Sequence, residues 1–388
     1  MSNLKACACA LPAAALIATL GPAAHGATPA TMRAIVQQGN GGPEVLHLQM
    51  LPVREPGAGQ VLIRVYAAGV NPIDWKMRRG GMGPPPGAAE PPPAAGGPPP
   101  GAGAPPPGAG APPGAGPPSG MPMPGPRIPG LDVAGVVENL GPGVTAFKVG
   151  DPVFAMIGRS IDGLNGAYAE FALAPADNVV AKPRNFSFAE AAGIGTAGMT
   201  AAKIIGRAGV DKGQRVLITG VAGGVGSAAA QIARARGAHV IGTASGRHAA
   251  FLRSIGVDEV IDYTQAPFEE QVHDVDVVID TVGGDTAQRA LKTLRKGGSF
   301  ATVAGRMATE QCTAAGVRCA EAGPPQPGES EGAMLRQVAA LAAEGRFRVH
   351  VDKVYPLERA ADAQEYNRDG HTEGKVILAV DARHAGAR

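Results

Sequence analysis

Short apolar runs separated by glycine and proline dominate the first part of the chain. This pattern predicts brief β-strands joined by tight turns, and no long stretch there has the period of an amphipathic helix. We therefore expect a small β-rich domain. Its candidate strands are residues 33–37, 46–50, 60–68, 132–140 and 152–157.

The second part of the chain, beginning near Pro183, alternates strand-like apolar runs with helical patterns. Such alternation predicts a doubly wound parallel sheet. Extended segments return after Gly345, so we expect the C-terminus to complete the first domain and the second domain to be inserted within it. The predicted elements are strands 259–262, 275–280 and 299–304, helices 285–294 and 332–344, and extended segments 348–354 and 375–380. The predicted limits are 32–180 and 345–383 for the first domain and 181–344 for the second.

The composition of the 388-residue chain suits two domains and argues against some partners. Its net charge is +2 and aromatic residues are scarce, which disfavours a nucleic-acid surface of basic and stacking side chains. The four cysteines contain no C-x-x-C pair and have no histidine beside them at zinc spacing. We therefore expect neither a disulfide framework nor a structural metal. They are Cys7, Cys9, Cys312 and Cys319.

Residues 81–126 are almost wholly proline, glycine and alanine. Glycine does not recur at every third position, which excludes a collagen helix. Such a segment cannot bury enough apolar surface to offset the entropy of ordering, so we predict a disordered insert that is partly polyproline II. Its Pro-x-x-Pro runs lack basic flanks, which favours an inert linker over a docking segment.

Residues 216–247 have the order strand, glycine turn, helix, strand. Glycines at such a turn let the backbone approach a pyrophosphate, and the helix N-terminus offers it free N–H groups. The pattern therefore predicts a dinucleotide site, and a glycine-rich turn without a ligand is the alternative. The predicted contacts are Gly220, Gly223, Gly224, Val225 and Gly226.

The end of the second strand of this unit indicates which dinucleotide binds. An NAD site usually places an acidic residue about 20 positions after the first glycine, but no acid occurs there before Asp258. Ser245 and Arg247 occupy the region instead and are suited to a 2′-phosphate. We therefore predict NADPH, with a solvated Arg247 as the alternative.

Eight stretches carry a further pattern: GGPEVL at 41–46, AAGVNPIDWKMRRG at 67–80, PGLDVAGVV at 129–137, VGDPVFA at 149–155, GTAGMTA at 195–201, the glycine turn, DTVGG at 280–284 and GHTEGKVIL at 370–378. Together they resemble the zinc-independent branch of the medium-chain dehydrogenase/reductase superfamily. The resemblance is to NADPH quinone oxidoreductases of the ζ-crystallin type and to plant-type alkenal/enone reductases. It implies an α/β protein, namely a GroES-like β-rich domain with an inserted Rossmann doubly wound parallel-sheet domain, and a homodimer.

The chain departs from the zinc-dependent relatives where these hold their catalytic metal. Asn71 stands in place of a cysteine, and Leu131 and Asp132 replace the His-Glu pair. An amide, a leucine and one carboxylate are not a zinc set, so no metal is expected. Hydride transfer from NADPH to a quinone or an α,β-unsaturated carbonyl needs mainly alignment and modest oxyanion stabilisation, which fits this composition.

The resemblance implies two catalytic residues that face the acceptor, Asn71 and Lys76. The Asn71 amide would orient the nicotinamide carboxamide or the substrate carbonyl, and Lys76 would stabilise or protonate the enolate. The simpler alternatives are a turn residue before Pro72 and a solvated lysine. Asp74 is expected to cap the helix that follows.

The remaining coenzyme contacts are expected at strand ends and at the segment that closes over the nicotinamide. Thr196 has a helix-start role as its alternative, and Tyr263 is expected near the 2′-phosphate unless it is only a strand-end aromatic. Four histidines have no partner at nucleophile or metal spacing and are expected at the surface: His248, His273, His350 and His371. The predicted contacts are Thr196, Tyr263, Thr281, Val282, Gly283, Gly305 and Lys375.

Two other functions remain open. An enoyl-thioester reductase is disfavoured because its tyrosine after the Asn-Pro motif is missing. The other alternative is a non-catalytic NADPH-binding protein of crystallin or interaction type. Residues 1–31 are either a secretory signal or a mis-assigned start, and their apolar stretch is too short to span a membrane. Since NADPH is a cytosolic coenzyme we predict a cytoplasmic protein, with export as the alternative.

Overall fold

Two β-sheets organise the protein, which is seen in a computed structural model that describes residues 28–80, 125–158, 163–320, 329–370 and 372–387. Within these residues a ribbon of β1 (Thr31–Gln37) and β2 (Leu46–Pro52) precedes a seven-stranded and a six-stranded sheet. The predictions for nearly all of the N-terminal extension and of the insert fall outside the described residues.

The seven-stranded sheet forms the first domain. Its strands in spatial order are β14 (Val351–Pro356), β15 (Lys375–Ala379), β3 (Gln60–Val70), β4 (Asp132–Leu140), β5 (Pro152–Met156) and β7 (Val179–Ala181), with β6 (Phe171–Pro175) paired to β3. Val61, Leu62 and Ile63 of β3 are all buried, so both faces of this central strand are covered.

The six-stranded sheet forms the second domain, and all its strands are parallel. Their spatial order is β10 (Glu259–Asp262), β9 (His239–Ala244), β8 (Arg215–Thr219), β11 (Val275–Asp280), β12 (Leu294–Thr302) and β13 (Arg318–Cys319). Strand β8 lies between β9 and β11, so the winding reverses there. Ligands of such sheets bind at this switch point, beyond the carboxyl ends of the strands.

Helices cover both sheets. In chain order they are α1 (Pro72–Arg78), α2 (Phe188–Ala192), α3 (Gly195–Ala208), α4 (Gly224–Ala235), α5 (Ala249–Ser254), α6 (Gly284–Leu291), α7 (Thr309–Ala315), α8 (Glu331–Ala343) and α9 (Ala360–Arg368). Helix α3 packs against α4 and α8, and its buried face is mostly alanine and glycine, which allows close approach. Over the described part of the chain, no helix is long and apolar enough to cross a membrane.

The C-terminal strand joins the two halves of the first domain. Strand β15 runs antiparallel to β3 and places Val376 opposite Val70. The polypeptide therefore leaves the first sheet, builds the second and returns. This arrangement confirms the predicted fold class, a GroES-like β-rich domain with an inserted Rossmann domain.

Two elements differ from the prediction in instructive ways. The helix predicted to reach residue 294 ends at Leu291, because the N–H and the hydroxyl of Thr293 both bond to the Ala290 carbonyl and close the helix. Helix α9 was not predicted, since its sequence is mostly polar. It is fixed by tertiary contacts, notably the ion pair between Glu365 and the fully buried Arg78 of α1.

The expectation that no disulfide forms was wrong for one pair of cysteines. Cys312 and Cys319 are joined, with their Cα atoms 5.7 Å apart. Gly316 ends α7 in the left-handed conformation, at φ 68°, and turns the chain back toward β13. Inspection of C-x-x-C spacing does not detect a turn of this kind.

Candidate active site

Four polar side chains meet where the two domains touch, and we call Asn71, Asp132, Thr196 and Lys375 the polar cluster. Asn71 Nδ2 donates to Asp132 Oδ2 over 2.9 Å, and Lys375 Nζ donates to Asn71 Oδ1 over 2.5 Å. The backbone N–H and the hydroxyl of Thr196 donate to Asp132 Oδ1 over 2.7 and 2.6 Å. Asn71, Asp132 and Lys375 are all buried, so the cluster is a network shielded from solvent.

The polar cluster depends on glycines that let its elements approach one another. Strand pairing sets Gly69 of β3 opposite both Asp132 of β4 and Ile377 of β15. A Cβ on Gly195 would lie 2.3 Å from Asp132 Oδ1, so only glycine lets α3 begin against this carboxylate. A carboxylate at a helix N-terminus is also favoured by the helix dipole.

Lys375 carries the one ammonium of the polar cluster. Burial lowers its pKa, and the charge of Asp132, whose Oδ2 lies 3.7 Å from Nζ, acts in the opposite direction. Nζ also donates to the Val70 carbonyl over 3.2 Å. The ammonium is therefore held by acceptors from both β3 and β4.

Asp74 is a second buried carboxyl beside the polar cluster. Its Oδ2 accepts the N–H of Asn71 over 2.9 Å, as expected of a capping residue, and also the hydroxyl of Tyr168 over 2.8 Å. Burial raises the pKa of Asp74 to about 7, although both hydrogen bonds act to lower it. A cleft opens next to it, lined in part by Ile73, Asp74, Met77, Gly130, Leu131 and Gly158.

The predicted glycine turn lies directly against the polar cluster. Gly220 adopts φ 61°, and a Cβ on Gly226 would lie 2.4 Å from the Gly220 carbonyl oxygen. A Cβ on Gly224, at the start of α4, would lie 2.9 Å from Lys375 Cδ. The N–H of Gly374 donates to the Ala222 carbonyl over 2.8 Å, which ties the segment carrying Lys375 to the turn.

The residues predicted for the 2′-phosphate lie together at the ends of β9 and β10. Asp262 pairs with Ala244, so Tyr263 follows beside Ser245, and the Tyr263 side chain is about half exposed. Arg247 is exposed and its Nε donates to His248 Nε2 over 3.0 Å. Asp262 also brings a carboxylate close to Gly246, an acid that its position in the sequence did not reveal.

The remaining predicted contacts follow β11 and β12. Asp280 is fully buried and accepts the hydroxyls of Thr219 and Thr302, each over 2.7 Å, as well as the N–H groups of Val282 and Gly283. This carboxylate thus binds three strand ends together. Thr281 donates to the Thr219 carbonyl, Val282 is exposed, and Gly305 follows β12 at φ 129°.

Lys76 lies apart from the polar cluster. Its Nζ is 5.5 Å from the centre of the Trp75 ring, and it makes no hydrogen bond to the cluster within the described residues. Asp132 was noted only as a replacement for a metal ligand, whereas Tyr168 and Asp280 were not predicted at all. The position of Asp132 in the former metal set was the signal that could have identified it.

The expectation of a surface position is wrong for His248 and confirmed for His350, which is exposed. His248 is buried, and its Nδ1 is 2.6 Å from Glu373 Oε2. His350 Nε2 lies 3.3 Å from the other oxygen of Glu373. Sequence spacing could not show the pairing of His248 with Glu373, because Glu373 lies 125 residues later, in the C-terminal part of the first domain.

The first domain has a largely antiparallel sheet that its own C-terminal segment completes, and the inserted domain has a parallel sheet with a glycine turn at its switch point. This combination defines a two-domain dehydrogenase or reductase. The family model of the alcohol dehydrogenase GroES-like domain matches residues 114–184, and that of zinc-binding dehydrogenases matches residues 255–378. The first match lies in the N-terminal part of the first domain. The second match covers the later part of the inserted domain and the segment that returns to the first domain.

Similarity to known proteins identifies the family within this class. The chain is 30% identical to NADPH-dependent alkenal/one oxidoreductase of Arabidopsis thaliana over 93% of its length and 83% of the relative's. It is 31% identical to quinone oxidoreductase of Mus musculus, over 89% and 97% of the two chains. The quinone oxidoreductase structure from Coxiella burnetii has 30% identity and a TM-score of 0.71, covering 90% of this chain and 99% of that one. The chain belongs to the quinone and alkenal/one oxidoreductase family of medium-chain dehydrogenases/reductases.

Proposed function

We propose that this chain is an oxidoreductase that transfers hydride from NADPH to a quinone or an α,β-unsaturated carbonyl. The observation that carries the proposal is the bond from Gly374 to Ala222, which holds the polar cluster against the glycine turn. The names of the relatives, quinone oxidoreductase and NADPH-dependent alkenal/one oxidoreductase, support the same activity.

The residues at the turn fit a dinucleotide. Gly223 and Gly224 open α4 with no side chain to cover its N-terminal N–H groups, which are the natural ligands of a pyrophosphate. Ser245, Arg247 and Tyr263 are proposed to bind the 2′-phosphate. NADPH, when bound, supplies a hydride to the acceptor.

The chain's own residues would hold and orient the nicotinamide and the acceptor. Lys375 and Asp132 occupy Oδ1 and one hydrogen of Asn71 Nδ2, which fixes the Asn71 amide and leaves its second Nδ2 hydrogen to donate to a carbonyl. Thr196, beside it, is proposed as a nicotinamide contact. The apolar walls of the cleft at Ile73 and Leu131 would exclude water from the acceptor. Lys76 remains a proposed contact of the acceptor. Because Lys76 lies apart from the polar cluster, this contact requires a substrate that extends from the cluster to the lysine.

A reduced enone or quinone carries negative charge on oxygen and takes up a proton. Asp74 holds a proton up to a pH of about 7 and lines the cleft, which makes it a candidate source. No metal is proposed in this scheme. Zinc independence can be checked by comparing turnover before and after dialysis against a chelator.

The test of the proposed function is NADPH oxidation by the purified chain with 9,10-phenanthrenequinone and with a 2-alkenal. We expect turnover with at least one acceptor, and faster turnover with NADPH than with NADH. Tight NADPH binding without turnover of either acceptor would contradict the proposal and favour a non-catalytic binding protein. Turnover only with an enoyl thioester would favour the enoyl reductase alternative.

We further propose a cytoplasmic homodimer. The location rests on the coenzyme, which is a cytosolic metabolite, and the dimer rests on the family resemblance. Cell fractionation with N-terminal sequencing of the recovered protein tests the first, and light scattering tests the second. An exported protein shortened near residue 27, or a monomer across the working concentration range, would contradict them.

A further inference from the structure

A buried histidine and a glutamate join the two domains beside Arg247. His248 follows β9 in the second domain, whereas Glu373 precedes β15 in the first. Their Nδ1 and Oε2 atoms are 2.6 Å apart, and Arg247 Nε lies 3.0 Å from the other ring nitrogen, Nε2. The second oxygen of Glu373 faces His350 Nε2 at 3.3 Å.

The direction of these hydrogen bonds follows from their chemistry. Arg247 Nε carries a hydrogen and can only donate, so His248 Nε2 is the unprotonated acceptor. The proton of the neutral ring is then on Nδ1, where it is donated to Glu373. The carboxylate therefore selects the tautomer that holds Arg247. The bond occupies Nε alone, and within the described residues no acceptor contacts the two terminal nitrogens of Arg247.

We propose that His248 and Glu373 position Arg247 for the 2′-phosphate of the coenzyme, and so help to set the preference for NADPH over NADH. The inference rests on the proposed function and names the positioning residues of its phosphate site. An arginine already fixed at Nε loses less freedom on binding, and its terminal N–H groups remain available for a bidentate, charge-assisted contact.

Two neighbouring features indicate why the position of Arg247 matters for phosphate binding and for the polar cluster. The carboxylate of Asp262 lies near Gly246, so a phosphate there meets a repulsive charge that a well-placed arginine has to outweigh. Gly374 alone separates Glu373 from Lys375, so the contact also connects the phosphate edge with the polar cluster.

The test compares 2′,5′-ADP with 5′-AMP, which differ by one phosphate, and NADPH with NADH, by titration calorimetry on the full chain. Arg247→Ala is expected to weaken 2′,5′-ADP about tenfold to a hundredfold and to leave 5′-AMP unchanged. His248→Leu is expected to weaken 2′,5′-ADP about three- to tenfold through the loss of one positioning hydrogen bond. In the Arg247→Ala background, His248→Leu should cause no further loss.

Glu373→Gln is the sharper variant because it is nearly isosteric. A glutamine either accepts from Nδ1–H through its neutral amide oxygen, which is a weaker acceptor than a carboxylate, or donates to Nδ1 and moves the ring proton to Nε2, which then faces Arg247 as a second donor. Arg247 is held less firmly in both cases, so we expect a selective loss for 2′,5′-ADP that does not exceed the loss in His248→Leu. The matched control is His239→Gln, which alters a His–Glu pair that lies wholly within the second domain, with Nε2 2.6 Å from Glu259 Oε1, and should change no affinity.

The outcomes separate the inference from the proposed function. Equal weakening of 5′-AMP and 2′,5′-ADP in both His248→Leu and Glu373→Gln would assign a purely structural role and overturn the inference. Unchanged binding in both variants would overturn it too, even if Arg247→Ala behaves as expected. Failure of the unmodified chain to bind NADPH would refute the proposed function itself.

Discussion

The glycine turn and the polar cluster are connected by the hydrogen bond from Gly374 to Ala222, yet they are formed by different kinds of groups. The turn comes from one continuous segment, 220–226, and works through backbone groups and the absence of side chains. The cluster takes Asn71, Asp132, Thr196 and Lys375 from four distant segments and works through buried side chains. A local sequence motif can specify the first kind of site, whereas the second exists only after the domain closes.

The largest effect is expected from breaking the buried charge pair of the polar cluster. Lys375→Met leaves the Asp132 carboxylate buried without its ammonium, which costs about 3–5 kcal/mol of unfolding free energy. Adding Asp132→Asn removes the uncompensated charge and should restore most of this loss. Urea unfolding of both variants measures it, and equal instability of the single and double variants would show that the charge pair is not the cause.

A smaller loss of stability is expected from a substitution in the glycine turn. Gly226→Ala forces a Cβ to 2.4 Å from the Gly220 carbonyl oxygen and should lower the unfolding free energy by about 1–3 kcal/mol. Gly223→Ala is the matched control, because its Cβ would meet that oxygen at 3.6 Å, an ordinary contact. We expect Gly223→Ala to unfold like the unmodified chain while binding NADPH more weakly. Equal stability of both variants would contradict the packing argument.

Asp74 gives the cluster region a pH dependence that the turn lacks. Its pKa is about 7 in the folded chain and near 4 in an unfolded one, so between these values the folded state binds more protons. Stability should therefore fall as the pH rises from about 4 to about 7 and then level off. Asp74→Asn should flatten this slope, as measured by urea unfolding across the range. An unchanged slope would mean that another group titrates.

The smallest expected effect concerns the acid next to the predicted phosphate site. Asp262→Asn removes a repulsive charge near Gly246 and should strengthen NADPH binding about twofold, since exposed charges are screened by solvent and salt. Asp258→Asn, which alters an acid paired with Arg234, is the control and should leave binding unchanged. Weaker NADPH binding in Asp262→Asn would show that the carboxylate supports the site.

The residues of the candidate site could be predicted from the sequence where a proposed coenzyme contact lies at the end of a single strand. The strand and turn pattern pointed to the turn glycines, Ser245 and Arg247, and the family resemblance pointed to Tyr263. Because β9 and β10 are adjacent in the sheet, Tyr263 comes to lie beside Ser245, whereas the contacts of these residues with the coenzyme stay a prediction. Lys375 and Asn71 were each predicted from family motifs, but their direct hydrogen bond was not. Asp262 shows the limit of counting along the chain, since a neighbouring strand supplies an acid that the spacing rule does not include.

The sequence by itself determined most of the strands, the glycine turn, the inserted order of the two domains and the family, because these depend on local periodicity, backbone freedom and short motifs. Only the tertiary structure decided that Asp132 binds Thr196 and Asn71, that Glu373 reaches His248, and that Cys312 meets Cys319. The physical reason is that a buried polar group must find its partner in space. Partners brought together by strand register and chain reversal leave no regular spacing in the sequence.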